Sequence, residues 1–174
     1  MSHLNIEIKA RSAEQDKIRA LLRERAARFV GEDHQIDTYF RVPRGRLKLR
    51  QGAIERNLIY YERPDQQGPK ASNVMLYKPG PDAALKEILT QVLGVLVVVD
   101  KRREIYFIDN VKFHLDRVDH LGTFVEIEAI DADGTIGEAR LHEQCAHYLD
   151  LFEIAEEDLV HVSYSDLLLQ MLQT

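Results

Sequence analysis

The sequence predicts an α+β fold whose main body is a mostly antiparallel, closed β-barrel of eight strands with a charged lumen and peripheral helices. Three observations lead there. Short stretches of period-two alternation follow one another through the middle of the chain. Charged side chains gather on one face of these stretches and aliphatic ones on the other. Helical periodicity is confined to an early segment, a middle one and the C-terminal part.

The first element is the strand at 4–11. Leu4, Ile6, Ile8 and Ala10 share one face, and Asn5, Glu7, Lys9 and Arg11 the other. Residues 13–29 follow as an amphipathic helix, with Ser12 as N-cap, Ile18, Leu21, Leu22 and Phe29 at helical spacing, and Gly31 as its stop. Strand-like stretches come next at 35–42, 46–51, 57–63 and 73–78. Turn chemistry at Pro43, Gly45, Gly52 and the 64–72 segment separates them. A second helix at 82–93 carries Leu85, Ile88, Leu89 and Val92 as its stripe and ends at Gly94. Strands resume at 95–99, 102–108, 111–118 and 123–130, with hairpin connections at Asp109-Asn110 and His120-Leu121-Gly122. The C-terminal part is helical at 138–152 and again at 165–172, with Ser165 as the second N-cap. Without an internal repeat, linker or low-complexity tract, residues 1–174 read as one domain.

Composition narrows the function classes. The chain has 174 residues, 45% apolar and 30% charged, which suits a globular domain with a sizeable core. With 23 basic against 29 acidic side chains and a net charge of -6, it lacks the uncompensated positive surface of a nucleic-acid coat. Cys145 is the one cysteine, so no intrachain disulfide forms. The N-terminus lacks the blocks of a signal peptide. The most apolar run, 95–99, is far short of the roughly 20 residues a membrane span needs. A soluble, cytoplasmic protein with neither nucleic acid nor membrane as partner is expected.

The charges are sorted by sign. Arg46, Lys48 and Arg50 share a strand face, Lys101 and Arg103 continue a row, Lys112, His114 and Asp116 are in line, and Glu126 and Glu128 sit together. Like charges two residues apart on one face repel, and a merely solvated surface does better with mixed signs. Such rows make sense around something both metal-bound and anionic, because hard divalent cations take carboxylate oxygens and phosphates take Lys and Arg. Curling the sheet into a barrel turns these rows inward.

Five elements in order carry a family resemblance from Asn5 to about Leu168: Asn5-Ile6-Glu7-Ile8-Lys9 against an opening Glu-x-Glu-x-Lys, Asp37-Thr38-Tyr39-Phe40, the basic Leu47-Lys48-Leu49-Arg50, Lys101-Arg102-Arg103, and Asp116 before Leu121-Gly122 and the closing Glu126-Ile127-Glu128. The chain resembles the CYTH family, the triphosphate tunnel enzymes that include class IV adenylyl cyclases, thiamine triphosphatases and inorganic triphosphatases. Two departures stand out. Asn5 replaces the first glutamate, keeping an oxygen and losing a charge. The family's lysine after the third strand falls in Tyr60-Tyr61-Glu62-Arg63-Pro64, where Arg63 is the residue able to supply the charge.

The resemblance implies Mg²⁺ or Mn²⁺ on Glu7, Glu126 and Glu128, with Asp116 assisting. It implies a phosphate grip from Lys9, Lys48, Arg50, Arg63, Lys101 and Arg103, and Asp116 and Lys9 as candidate catalytic residues. The general base stays open among Asp116, a neutral lysine and solvent activated by the metal. The expected partner is a triphosphate-bearing small molecule: ATP, tripolyphosphate or thiamine triphosphate. A homodimer is allowed for. The Asp-Thr-Tyr-Phe stretch and the Leu-Gly pair look most like the class IV cyclase branch, which makes cyclic AMP and pyrophosphate from ATP. A triphosphate hydrolase is the alternative, and a non-catalytic triphosphate- or polyphosphate-binding module the third.

Other motifs carry less. His142 and His147 are five apart where a shared helix face needs four, so they read as surface histidines. The basic run 41–50 alternates as a strand face does. Gly134-Thr135-Ile136-Gly137 reads as a turn before a helix, and Cys145 as a packing residue.

Overall fold

The structure, a computed structural model, describes residues 2–64, 66 and 68–174; Met1 lies outside them, as do Asp65 and Gln67 of the expected turn segment. In chain order the elements are β1 (Ser2–Arg11), α1 (Gln15–Glu24), β2 (Arg28–Phe40), β3 (Arg46–Gln51), β4 (Arg56–Glu62), β5 (Lys70–Tyr77), α2 (Ala84–Leu93), β6 (Val95–Ile108), β7 (Val111–Val118), β8 (Gly122–Asp131), α3 (Glu138–Leu151), β9 (Leu159–Val160) and α4 (Tyr164–Leu172). A single 3-10 turn, Glu156–Asp158, precedes β9.

The strands pair antiparallel in the order β5-β4-β3-β2-β6-β7-β8-β1, and β5 pairs back onto β1 to close eight of them into a barrel. The closing seam is shared: β5 takes β1 from Ser2 to Glu7, and the two-residue β9 takes Lys9 and Ala10. Period two then dictates the rest. Outside, Ile6, Ile8 and Ala10 of β1, Phe113 and Leu115 of β7 and Val125 and Ile127 of β8 form one core with Ile18 and Leu22 of α1 and Leu141, Cys145 and Phe152 of α3. The helices and the barrel's outer wall bury each other's apolar faces, so the lumen is free to be polar. Cys145 is fully buried in this layer and is the packing residue expected.

Several boundaries move for identifiable reasons. The first helix stops at Glu24, not near Gly31, and Phe29 is a strand residue 55% exposed, not part of the helix stripe. Ala26 takes a left-handed φ of 54°, and Ala27 N–H donates to Leu22 O at 3.0 Å, which is a Schellman-type stop. The freed residues extend β2, because β6 is long enough to pair with it from Phe40↔Val95 to Arg28↔Phe107. The same pairing fuses the two strands expected at 95–99 and 102–108 into one. The α2 stripe buries nothing: Ile88 and Val92 are 57% and 73% exposed. The last helix is capped by Ser163, not Ser165, through a reciprocal box with Asp166. No described helix is long and apolar enough to cross a membrane.

The hairpin between β3 and β4 folds over the end of β2. Buried Asp33 accepts N–H bonds from Ala53, Ile54 and Glu55 at 2.8–3.0 Å, and Gln35 Nε2 bonds both Asp33 and Glu55 at 2.9 Å. Gly52 lies against this clamp, so that a Cβ there would sit 2.8 Å from the Glu55 carbonyl oxygen and closer still to the Asp33 carboxylate. Gly52→Ala is therefore expected to destabilise the protein by about 1–3 kcal/mol, read as a lower urea midpoint at unchanged m-value.

Candidate functional site

Inward-facing positions of all eight barrel strands line one cavity, which contains Asn5, Glu7, Lys9, Lys48, Arg50, Arg63, Lys101, Arg103, Glu126 and Glu128. Every residue expected at the site is on this wall except Asp116. Alternation puts the strand residues there, since their neighbours on both sides belong to the outer layer or the outer surface, while Arg63 reaches in from just past the end of β4.

The basic side of the lumen is organised by Asp37, which is fully buried. Arg50 donates to it in bidentate fashion at 2.9 and 2.8 Å, Lys101 Nζ lies 2.7 Å from Oδ2, and Lys48 Nζ lies 3.2 Å from the same oxygen. Burial raises the cost of this carboxylate's charge, yet Arg50, Lys101 and Lys48 outweigh it and hold Asp37 well below its ordinary range. Lys101, 2% exposed, is pushed down by burial, with Arg50, Arg103 and Lys48 adding to the effect. Three cations thus meet on Asp37, and Arg50 also reaches a second carboxylate, Glu55 at 3.6 Å.

A second cluster lies around Arg103. Both Asp116 oxygens accept from it at 2.7 and 2.6 Å, and Tyr164 of α4 donates its hydroxyl to Asp116 at 2.7 Å. Asp116 is fully buried and sits behind Arg103, off the cavity wall. Both of its oxygens are engaged, by the Arg103 guanidinium and the Tyr164 hydroxyl. Glu126 meets Lys9 at 3.2 Å, Arg103 at 3.3 Å and His114 Nδ1 at 3.0 Å, and is held well below the ordinary carboxylate range. Since an ionised carboxylate only accepts, His114 carries its proton on Nδ1. Burial and Arg103 push its pKa down, which keeps the ring neutral and leaves Nε2 a buried acceptor without a partner.

Four lumen residues lacked an assigned role at the sequence level. Asp37 and His114 stood in motifs already noticed but gave no hint of whom they would meet. Glu55 comes from the β3–β4 hairpin and bonds Lys112 of β7 at 2.5 Å. Tyr164, under Lys9 at 3.9 Å from its ring centroid, comes from a helix with no sequence signal linking it to the barrel.

Among the described residues, no three His, Cys, Asp or Glu side chains converge tightly enough to hold a metal ion alone. Glu7 and Glu128 stand directly opposite on β1 and β8. Glu7 is ion-paired to Arg63, and Glu128 accepts from Asn5 Nδ2. The remaining Asn5 oxygen, Oδ1, is buried without a partner. An orphaned hard oxygen beside a carboxylate fits a divalent cation of the Mg²⁺ type.

Two outcomes follow. Asp37→Asn removes the carboxylate on which buried Arg50 and Lys101 and half-buried Lys48 meet, and is expected to destabilise the protein by about 3–5 kcal/mol in urea unfolding. Asp37, Asp116, Glu126 and Glu55 are all depressed in the folded state, so on acidification the unfolded chain takes protons first. Their stabilisation is complete above about pH 5 and declines progressively below it, which a Tm series from about pH 7 to 3 measures. Neutral His114 acts in the same direction, from its ordinary 6.5 downward.

Comparison with known proteins places this geometry in a lineage. No curated protein sequence shows significant similarity to the chain. Among solved structures, PH1012 from Pyrococcus horikoshii OT3 superposes with a TM-score of 0.76 at 26% identity, covering 93% of this chain and 98% of its own. A candidate adenylate cyclase from Vibrio parahaemolyticus matches with a TM-score of 0.74 at 21% identity, over 97% of this chain and 99% of its own. A candidate adenylyl cyclase from Hippeastrum with a dominant triphosphatase activity matches with a TM-score of 0.62 at 12% identity, over 92% and 91%. The two latter likenesses establish the fold alone. The CYTH domain family model matches residues 3–158, and with that span inside a closed barrel of charged lumen, the chain belongs to the CYTH family.

Proposed function

We propose that the lumen binds a triphosphate chain and that the protein cleaves it with water, assisted by a divalent cation. The observation that carries this is Asp37 with its three cations. Asp37 and Glu55 are two carboxylates among Lys48, Arg50, Lys101 and Lys112, which leaves a local excess of positive charge in a confined place, and an incoming polyanion relieves it. CYTH enzymes in general act on triphosphates and depend on divalent metal.

In this reading Lys48, Arg50 and Lys101, with Lys9 and Arg103, grip phosphate oxygens. Asp116 and Tyr164 fix the plane of the Arg103 guanidinium. Glu128 and the Asn5 oxygen, beside Glu126, would hold Mg²⁺ or Mn²⁺, which when bound neutralises charge building on the phosphate oxygens. His114 presents Nε2 as an acceptor for a hydrogen of the attacking water, its ring oriented by Glu126. Positioning and charge neutralisation supply most of what phosphoryl transfer requires. The dominant triphosphatase activity of the Hippeastrum protein supports hydrolysis as the outcome.

One observation favours a second reading, cyclisation of ATP. The β4–β5 side of the lumen is apolar: Ile59, Tyr61 and Val74 are buried there, and Leu76, 40% exposed, continues the surface. Such a wall suits an organic group carried by the triphosphate. The choice is made by ³¹P NMR of the protein with ATP and with tripolyphosphate, in Mg²⁺ and then Mn²⁺. Orthophosphate is the expected product; pyrophosphate with a cyclic-nucleotide resonance establishes the cyclase, and intact substrates indicate a binding module. Glu126→Gln is expected to lower turnover by roughly 100-fold or more, since it loosens Lys9, Arg103 and His114 at once.

A further inference from the structure

We propose that Arg63 fills the place of a second cation in this lumen, so that the chain binds one divalent ion, on Glu128 and the Asn5 amide oxygen. This rests on the triphosphate reading only for its purpose, because the metal count can be taken on the protein alone.

Glu7 and Glu128 are a directly opposed pair across β1 and β8. Two carboxylates in that position repel unless cations separate them. Here their surroundings differ. The Arg63 side chain, 8% exposed, leaves the end of β4, runs beside the Tyr61 ring at 5.3 Å and ion-pairs with Glu7. Lys70 stands opposite Glu7 on its other flank, in the β1–β5 seam. A metal ion approaching Glu7 would meet the guanidinium at close range in a weakly screened site, where like charges repel strongly.

Glu128 faces Lys112 of β7 on its own other flank, but that ammonium is bonded to Glu55 at 2.5 Å, and no guanidinium lies on Glu128 as Arg63 does on Glu7. The partner of Glu128 is the Asn5 amide, 1% exposed, which donates from Nδ2 and leaves Oδ1 buried and unpaired. An unpaired buried oxygen costs free energy that a ligand recovers. Amide oxygen and carboxylate together are the donors a hard cation selects. The two departures of this sequence thus account for each other. Asn5 removes a negative charge from the cluster and Arg63 brings a positive one to it, and both lower the demand for a second metal.

The test is a Mn²⁺ titration of the full chain followed by EPR of the free ion. Wild type is expected to take up one Mn²⁺. Glu128→Gln should weaken it by roughly 10- to 100-fold, while Glu7→Gln leaves it unchanged. Arg63→Gln should admit a second ion by releasing Glu7, and Arg63→Lys should not; circular dichroism confirms that each variant is folded. Should Arg63→Gln fail to fold, the contrast between Glu7→Gln and Glu128→Gln decides. Two Mn²⁺ on wild type, or equal losses in those two variants, overturns the inference. Calorimetry with tripolyphosphate runs in parallel: no binding by wild type ends the proposed function, while the Mn²⁺ count still decides the role of Arg63.

Discussion

A closed barrel has no free edge, and everything else in this protein follows from which side of its eight strands was made apolar. In most globular sheets the apolar face turns inward. Here Ile6, Ile8, Phe113, Leu115, Val125 and Ile127 point out and are covered by α1 and α3. The hydrophobic core is therefore a shell around the barrel, and the centre is left to groups that cannot pack and must be neutralised instead. Asp37, Asp116, Lys101 and Arg103, each at most 2% exposed, are tolerable only because each meets opposite charge within hydrogen-bond distance.

This arrangement separates the source of stability from the source of function. Buried ion pairs rarely stabilise more than well-packed apolar residues of the same volume would, so the charged centre is a poor investment as a fold. Under the proposed function its merit is preorganisation: the guanidinium and ammonium groups held by Asp37 and Asp116 would already be desolvated when an anion arrives. The outer shell carries the stability that lets the lumen keep an uneven charge balance.

Much of this was legible in the residues. The alternation in Arg46-Leu47-Lys48-Leu49-Arg50 located β3 to the residue, and 111–118 did so for β7. The rows of like charge pointed to a charged lumen, and Lys48, Arg50, Lys101, Arg103, Glu126 and Glu128 line it. What stayed hidden is long-range. Phe29 fits a helix stripe perfectly well and becomes a strand residue because β6, some 80 residues away, offers it a partner. The role of Asp37 depends on three different strands, and that of Glu55 on a hairpin reaching across to β7. Local pattern can show that a residue is inside; it cannot show whom it meets there.

The shared seam on β1 has a consequence for how the barrel is made. The earliest strand of the barrel, β1, finds its neighbours at Met75 in β5, Asp131 in β8 and Val160 in β9. During synthesis it must therefore wait, unpaired along one edge or both, until almost the whole chain exists, and closing such long loops is the slow part of assembly. The charged rows of the other strands remain in water for all that time. Closing of the lumen thus waits on β1, which is zipped between β5 on one edge and β8 and β9 on the other.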